Sequence, residues 1–553
     1  MSKRSLSSPP LPPSKRLHRR DGTPDAQPSL LTPAFPLSNE IILYIFSHLS
    51  WVDLCAAQAT NRAWSRLAID NELWRKMYLT TFGRPRLRGG RGAIGLANGR
   101  AMNPLPSGGT GDEIKDWKWM FRISSNWRKG RCTVENLHAP PAEATEDSHQ
   151  THILLTGSLI ISASSRPSSS PWIGLSGLRD LFHKLHCPTN QSGLYQITAL
   201  AQDQSLPKVN YTRIVAFLHN GEFCIFHVDH SNPASSRLHM AHTPIRRFAR
   251  SLSVIRAVYH HPVLVALSES FTLSIYDLSS GSIRHLQTLA SYTSYPPTSL
   301  VLSAPSPESY KLVLTYSVPV YPRHWSVGVT EFIISGPTIS SIPSTSKSSL
   351  SSFLHQSSSA QPMSVASIRS IRAVDIPQGW MDEDKLRYMQ EQWSRKVARV
   401  SDAQTDGKWV ILVPADPAIS GGPSSPGTSV SNVSSMQLYS PTSLQLYRLS
   451  LPSPSPSVSA SRPKLTFVRN LHGHTTPVSS IAVADGRCVS LGMDGNVWIW
   501  DLEAGTSTEA SGAIFETAGM LSDTHVVNGT VIFDERRIVS ARGGDIMIRR
   551  FDV

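Results

Sequence analysis

Charged side chains are scarce in this 553-residue chain: Asp, Glu, Lys and Arg make up 17% of it, where soluble domains average about 25%. Cysteine is scarcer still, with five (Cys55, Cys132, Cys187, Cys224 and Cys488) far apart and at no paired spacing. That argues against a disulfide framework and a cysteine-type zinc site, and it fits a reducing, intracellular compartment. No apolar run approaches about 18 residues and no secretory leader opens the sequence, so a soluble protein without a membrane partner is expected. A phosphate-cradling G-x-x-x-x-G-K-[ST] loop and a G-x-S-x-G elbow are both missing. His183, His186 and Cys187, and the pairs His227/His230 and His239/His242, lack further ligands at usable spacing. No catalytic residue, metal or cofactor is assigned, and an enzyme is not expected.

What charge there is sums to +13, which raises the question of nucleic acid. Its placement argues against that partner. Residues 1–34 carry six Lys or Arg against two Asp, and residues 84–100 carry five Arg and no acid. Nine of the thirteen charges therefore lie in segments with the composition of linkers, whereas a groove-reading surface needs basic residues clustered on a rigid element. Within the first segment, Lys3-Arg4, Lys15-Arg16 and Arg19-Arg20 have the layout of a bipartite nuclear import signal, and a solvated basic tail would look the same. The expected location is nuclear, cytoplasmic or both.

Residues 35–78 are the opposite in character. Of these 44 positions, 25 are apolar, and a unit of roughly 40 residues cannot bury that much surface alone. The spacing predicts short helices. Ser38 is expected to cap one with Ile41, Ile42, Ile45, Phe46 and Leu49 along a face, Ser50 and Asp53 open a second, Asn61 starts a third and Asp70 caps a fourth. A helical subdomain packed on the rest of the chain would show the same periodicity.

These residues resemble the F-box, the adaptor-binding motif of cullin–RING ubiquitin ligases. Leu37, Glu40, Ile41, Ile42, Ile45, Phe46, Leu49, Asp53, Leu54, Arg62, Trp64, Leu73 and Trp74 stand in the motif's order and spacing, with Ser38 where proline is usual and Asn61 where cysteine is common. The resemblance implies that Leu37, Ile41, Ile42, Ile45, Phe46, Leu49, Leu54 and Trp64 bury themselves in a Skp-family adaptor.

From about residue 131 the grammar changes to short apolar strands separated by Gly, Asn, Asp, Ser and Pro. Residues 265–281 (VALSESFTLSIYDLSSG) and 489–505 (VSLGMDGNVWIWDLEAG) align without a gap, with looser copies at 214–229 and 538–552. A fifth starts at 409–415 and resumes at 443–449 after an insertion. Each reads as the middle two strands of a four-stranded sheet, with tight turns at Asn220-Gly221 and Asp494-Gly495. Such sheets bury both faces only when stacked radially, so the expectation is a β-propeller of about seven blades. The copy running from Leu471 to Asp501 resembles a WD repeat, which implies a buried hydrogen-bonded set of His474, Ser490, Asp494 and Trp500. Tyr276 and Phe551 are expected to replace the tryptophan in two other blades.

The last copy stops after its third strand, so an edge would stay open. The strand-like residues 132–137 are the natural donor, and they are expected to close the ring beside 546–552. Residues 382–400 read as an amphipathic helix with Leu386, Met389, Trp393, Val397 and Val400 on one side. The expected organisation is α+β and multidomain: a disordered tail (1–34), the F-box-like unit (35–80), an Arg/Gly-rich linker (81–112), a linker helix (113–130) and the propeller (131–553), with insertions near 336–366 and 416–442. The resemblance implies a non-catalytic substrate receptor of an SCF-type ubiquitin ligase. Its partners would be the Skp-family adaptor, the cullin–RING complex and an unknown target protein, phosphorylated or not. Propellers of this kind read such targets through arginines, and Arg246, Arg247 and Arg542 are the candidates. An uncoupled scaffold and a nuclear RNA-associated scaffold are the alternatives.

Overall fold

The structure is a computed structural model that describes residues 37–83, 116–137, 149–177, 182–189, 193–205, 211–244, 253–279, 281–306, 309–320, 324–335, 363–375, 379–415, 442–451, 463–512, 529–542 and 545–552. The import-like segment, residues 84–112 of the Arg/Gly linker, Arg246 and Arg247 lie outside the described residues. The chain forms two compact units, 1–73 and 74–553.

The first unit is built from α1 (Asn39–Phe46), α2 (Trp51–Gln58), α3 (Arg62–Ala68) and the start of α4 (Asn71–Tyr78). Each of the last three begins on a side chain that satisfies otherwise orphaned backbone donors. The Ser50 hydroxyl accepts from Asp53 N and donates to the Asp53 carboxylate, Asn61 accepts from Trp64 N, and Asp70 accepts from Glu72 N and Leu73 N. The cap expected at Ser38 is absent: it stands extended before α1 and its side chain makes no capping hydrogen bond.

The second unit contains α5 (Trp117–Lys129) and a ring of seven sheets. Blade 1 is β2–β5 (Thr151–Thr156, Leu159–Ser164, Trp172–Ser176, Phe182–His186). Blade 2 is β6–β9 (Ile197–Gln202, Tyr211–Leu218, Phe223–Asp229, Arg237–His242). Blade 3 is β10–β13 (Val254–His260, Val263–Ser268, Thr272–Asp277, Arg284–Ala290) and blade 4 is β14–β17 (Tyr295–Ser306, Ser309–Val320, His324–Ser335, Ser364–Arg372). Blade 5 is β18–β21 (Val400–Thr405, Trp409–Pro414, Leu444–Ser450, Lys464–Leu471) and blade 6 is β22–β25 (Val478–Ala484, Arg487–Gly492, Val497–Asp501, Thr506–Glu509). The first strands of neighbouring blades adjoin one another all the way round. One apolar cluster fills each of the seven seams, which is what stacked two-faced sheets require.

Blade 7 is made of β27 (Thr530–Phe533), β28 (Arg537–Arg542), β29 (Asp545–Arg550) and, from the other end of the chain, β1 (Arg131–Leu137). β1 lies antiparallel to β29, with Thr133 opposite Arg550 and Leu137 opposite Ile546. The expected closing strand is therefore in place. On its other edge β1 meets β26 (Ser511–Gly512) in parallel. Buried Arg537 secures the seam to blade 1 through the carbonyls of Gly157, Ser158 and Leu159 at 2.8–3.3 Å, while its Nε pairs with Asp534 at 2.9 Å. At the seam between blades 6 and 7, Trp127 of α5 stacks on Phe551 (centroids 4.1 Å apart, 18°) and its Nε1 donates to the Glu535 carbonyl at 2.8 Å.

Two further expectations need correcting. The predicted helix at 382–400 is shorter: α6 (Glu383–Ser394), capped by Asp382, stops at Ser394. Val397 instead bridges Trp325 and Val400 opens β18, because the ring takes these residues as strand. Of the proposed apolar side, Leu386 is exposed and Met389 and Trp393 are half-buried. Residues 364–366, grouped by composition with the first insertion, begin β17.

Candidate functional site

On the first unit, the eight residues matching the adaptor-binding pattern divide by burial. Leu37, Ile41, Ile45 and Trp64 are exposed, and Ile42 and Leu49 are partly so. Phe46 and Leu54 are interior, with the Phe46 ring edge-on to Trp64 at 5.5 Å. Ile41 and Ile45, four residues apart, line one side of α1, and Leu37 precedes its N-terminus. Four exposed apolar side chains were not picked out from the sequence: Tyr44, Trp51, Val52 and Ile69. Together these eight exposed residues, 38–69% accessible, fall within residues 37–69. Fully burying one such side chain is worth roughly 1.5–3 kcal/mol. A partner covering half of what is exposed would gain several kcal/mol, enough to favour a specific complex.

In blade 6, three members of the WD-type set are joined. His474 Nε2 lies 2.6 Å from Ser490 Oγ, and Trp500 Nε1 donates to the same hydroxyl at 2.8 Å. Burial depresses the His474 pKa to about 4, with the nearby Asp494 carboxylate opposing it. Asp494 is not hydrogen-bonded to the imidazole. Its carboxylate takes the Thr475 hydroxyl at 3.4 Å and the Asn496 backbone and side-chain nitrogens at 3.0 Å. Gly495, at φ 86°, supplies the left-handed position this turn needs.

The strand registers identify the tryptophan's counterparts. Trp500 sits opposite Cys488, two residues before Ser490. In blade 3, Tyr276 holds the equivalent place opposite Leu264, with Ala266 where the serine would be, and it packs against Phe223 at 5.3 Å. In blade 7 the equivalent is Arg549, opposite Ile538, and its Nη1 donates to Ser540 Oγ at 3.0 Å. A buried guanidinium thus does what the indole does in blade 6. Phe551, expected in that role, lies beyond the strand and belongs to the contact with α5.

The two ends of the ring carry different parts. Antiparallel order puts the turns between second and third strands, and the connections from each fourth strand to the next blade, on one side. The remaining turns lie on the other, with α5. Arg542 is on the first side, exposed, with Nη1 donating to the Met493 carbonyl at 3.0 Å. α6 is on that side too, in the connection between blades 4 and 5. Sequence reasoning missed Arg256, which lies near this end of β10 in the inner ring, exposed, with Nε donating to the Thr298 carbonyl at 3.2 Å. Burial, together with the Arg256 charge, lowers the His152 pKa to about 4. Nothing in the local sequence marks Arg256, because its exposure follows only from its place in the ring.

Among the described residues, no three His, Cys, Asp or Glu side chains converge as metal ligands would. Of the histidine pairs weighed from the sequence, only His227 and His239 are in ring contact, one from each pair, at 4.1 Å.

The family model described as "F-box protein pof12 beta-propeller" matches residues 176–528, and the F-box-like model matches residues 39–80. A curated F-box protein of Saccharomyces cerevisiae is 26% identical over 133 residues, 22% of this chain and 21% of that protein. The chain thus spans about a fifth of the length of this curated relative. Among solved structures, the β-propeller domain of Cps50 (Swd1) from Myceliophteria thermophila matches over 75% of this chain and 98% of its own, with 10% identity and a TM-score of 0.37. The WD40 β-propeller domain of Doa1 matches over 76% of this chain and 96% of its own, with 11% identity and a TM-score of 0.36.

Proposed function

Since the chain belongs to the F-box protein pof12 β-propeller family, we propose that it is a substrate receptor of an SCF-type ubiquitin ligase, docking on a Skp-family adaptor and capturing a target protein with the propeller. The observation that carries this reading is the row of exposed apolar side chains on α1–α3, in a segment that also matches the F-box-like model. An apolar surface of this density on so small a unit is stabilised by a second chain. The receptor is a non-catalytic subunit in this reading. Holding the target near a ubiquitin-charged enzyme raises its effective concentration and replaces a bimolecular encounter by a local one. On the propeller, exposed Arg256 and Arg542 are our candidates for meeting a target on the side away from α5.

The test is affinity purification of the full chain against an Ile41→Asp, Ile45→Asp double variant. Both residues are exposed, so the helices keep their core, whereas replacing interior Phe46 or Leu54 would unfold the unit. Adaptor and cullin are expected with the intact chain and reduced at least about tenfold with the variant, since each charge would be buried unpaired in the interface. Undiminished adaptor recovery from the folded variant would refute the reading.

A further inference from the structure

Blade 2 carries a group of side chains that building the ring does not require. Arg213 on β7, His227 on β8 and Arg237 on β9 stand directly opposite one another across three neighbouring strands. They therefore share one face of the sheet, with Cβ atoms about 4.5–5.5 Å apart. The ring of His239, two residues beyond Arg237, stacks on that of His227 at 4.1 Å and 18°. Two guanidinium groups and two imidazoles are thus packed together where β7 begins and β8 ends.

Like charges at this range destabilise a sheet unless an opposite charge lies among them. The carboxylates nearby are already committed. Asp203 pairs with Arg213 at 3.0 Å but also accepts from the backbone nitrogens of Ser205 and His261. Asp229 accepts from the backbone nitrogens of Ser231 and Asn232 and from the Ser235 hydroxyl. From blade 3, the Tyr259 hydroxyl shares a hydrogen bond with His261 and also meets the Arg213 guanidinium. No described carboxylate pairs with Arg237, and Nε2 of His227 is buried with no hydrogen-bond partner. Burial first, then His239, Arg213 and Arg237, push the His227 pKa down to about 4, and burial with both arginines lowers that of His239. A metal cation fits badly, since the two guanidinium groups repel it and no third ligating side chain converges here. An anion offsets the repulsion among these cationic groups and offers an acceptor to His227 Nε2.

We propose that Arg213, His227, Arg237 and His239 form an oxyanion-binding site that takes a phosphate group, either free or carried on a modified side chain of a bound protein. A phosphate offers three acceptor oxygens and close to two negative charges, matching a set with more donors than a carboxylate satisfies. The site lies on blade 2 and does not depend on the ligase reading.

Sulfate is the probe for the full-length chain, because it stays dianionic across the pH range where histidine titrates. Titration calorimetry is expected to show one saturable site, tightening about tenfold from pH 8 to pH 5.5 as both imidazoles take up protons. Arg237→Gln and His239→Gln, at exposed positions of β9, are expected to weaken binding about tenfold each at pH 5.5. The histidine variant also flattens the pH dependence, and Arg237→Lys restores most of the affinity. Inorganic phosphate compared with a phosphoserine peptide then identifies the source. Tighter binding of the peptide means a modified protein, and equal binding means the free ion. Absence of saturable binding, or wild-type affinity in both glutamine variants, would overturn the proposal.

Discussion

At the scale of single residues, blade 6 shows how one hydroxyl organises a buried polar set. Ser490 serves both the imidazole of His474 and the indole N–H of Trp500, and all three side chains are buried. Removing it leaves two polar groups in a site water does not reach. Ser490→Ala is therefore expected to destabilise the propeller by about 1–3 kcal/mol, beyond the near-zero packing change of losing one oxygen. Chemical denaturation reads this as a lower midpoint at unchanged slope. Ser540→Ala in blade 7 leaves the buried Arg549 guanidinium with only the longer bond to the Gly495 carbonyl among the described residues, and a loss at the upper end of that range is expected, because hydrogen bonds to charged groups are the stronger ones. A loss below about 0.5 kcal/mol in both would show that the blades hold by apolar packing alone.

At the scale of elements, the ring depends on a strand borrowed from before the first blade. A chain beginning at residue 116 keeps α5 and β1, whereas one beginning at residue 138 leaves β29 with an unpaired edge. The shorter chain is expected to aggregate or open and the longer one to stay monomeric, which sedimentation distinguishes. This closure was legible in the sequence because the last copy ended one strand short, and the blades because alternation and Asp-Gly or Asn-Gly turns recur. What escaped depended on pairing register or on ring geometry. Aligning the terminal copy by its final aspartate put Phe551 in the tryptophan's place, while the ladder gives that place to Arg549. Val397 and Val400 continue the helical period of α6, yet the bridge to Trp325 and the start of β18 claim them. His227 and His239 are twelve residues apart and come together only through a ladder shifted by a bulge between Ile225 and Phe226. On the first unit, the helical period gave the faces of α1 but could not separate interior Phe46 from exposed Ile45, neighbours whose difference lies in how α3 packs.

At the scale of the whole molecule, the proposed function puts docking and capture on different compact units, so they should be separable by mutation. In cells with the proteasome blocked, the Ile41→Asp, Ile45→Asp chain is expected to retain its captured target while losing the adaptor. Arg256→Ala is expected to do the reverse, keeping the adaptor and losing target about tenfold if that guanidinium contributes one charge-assisted contact. With the proteasome active, the docking variant in excess should lengthen the target's half-life, because it occupies the target without bringing it to the transferring enzyme. Quantitative proteomics of the three purifications and a chase of target abundance read all of this together. Simultaneous loss of adaptor and target from the docking variant would mean that capture needs the assembled complex, and the division of labour between helices and ring would have to be given up.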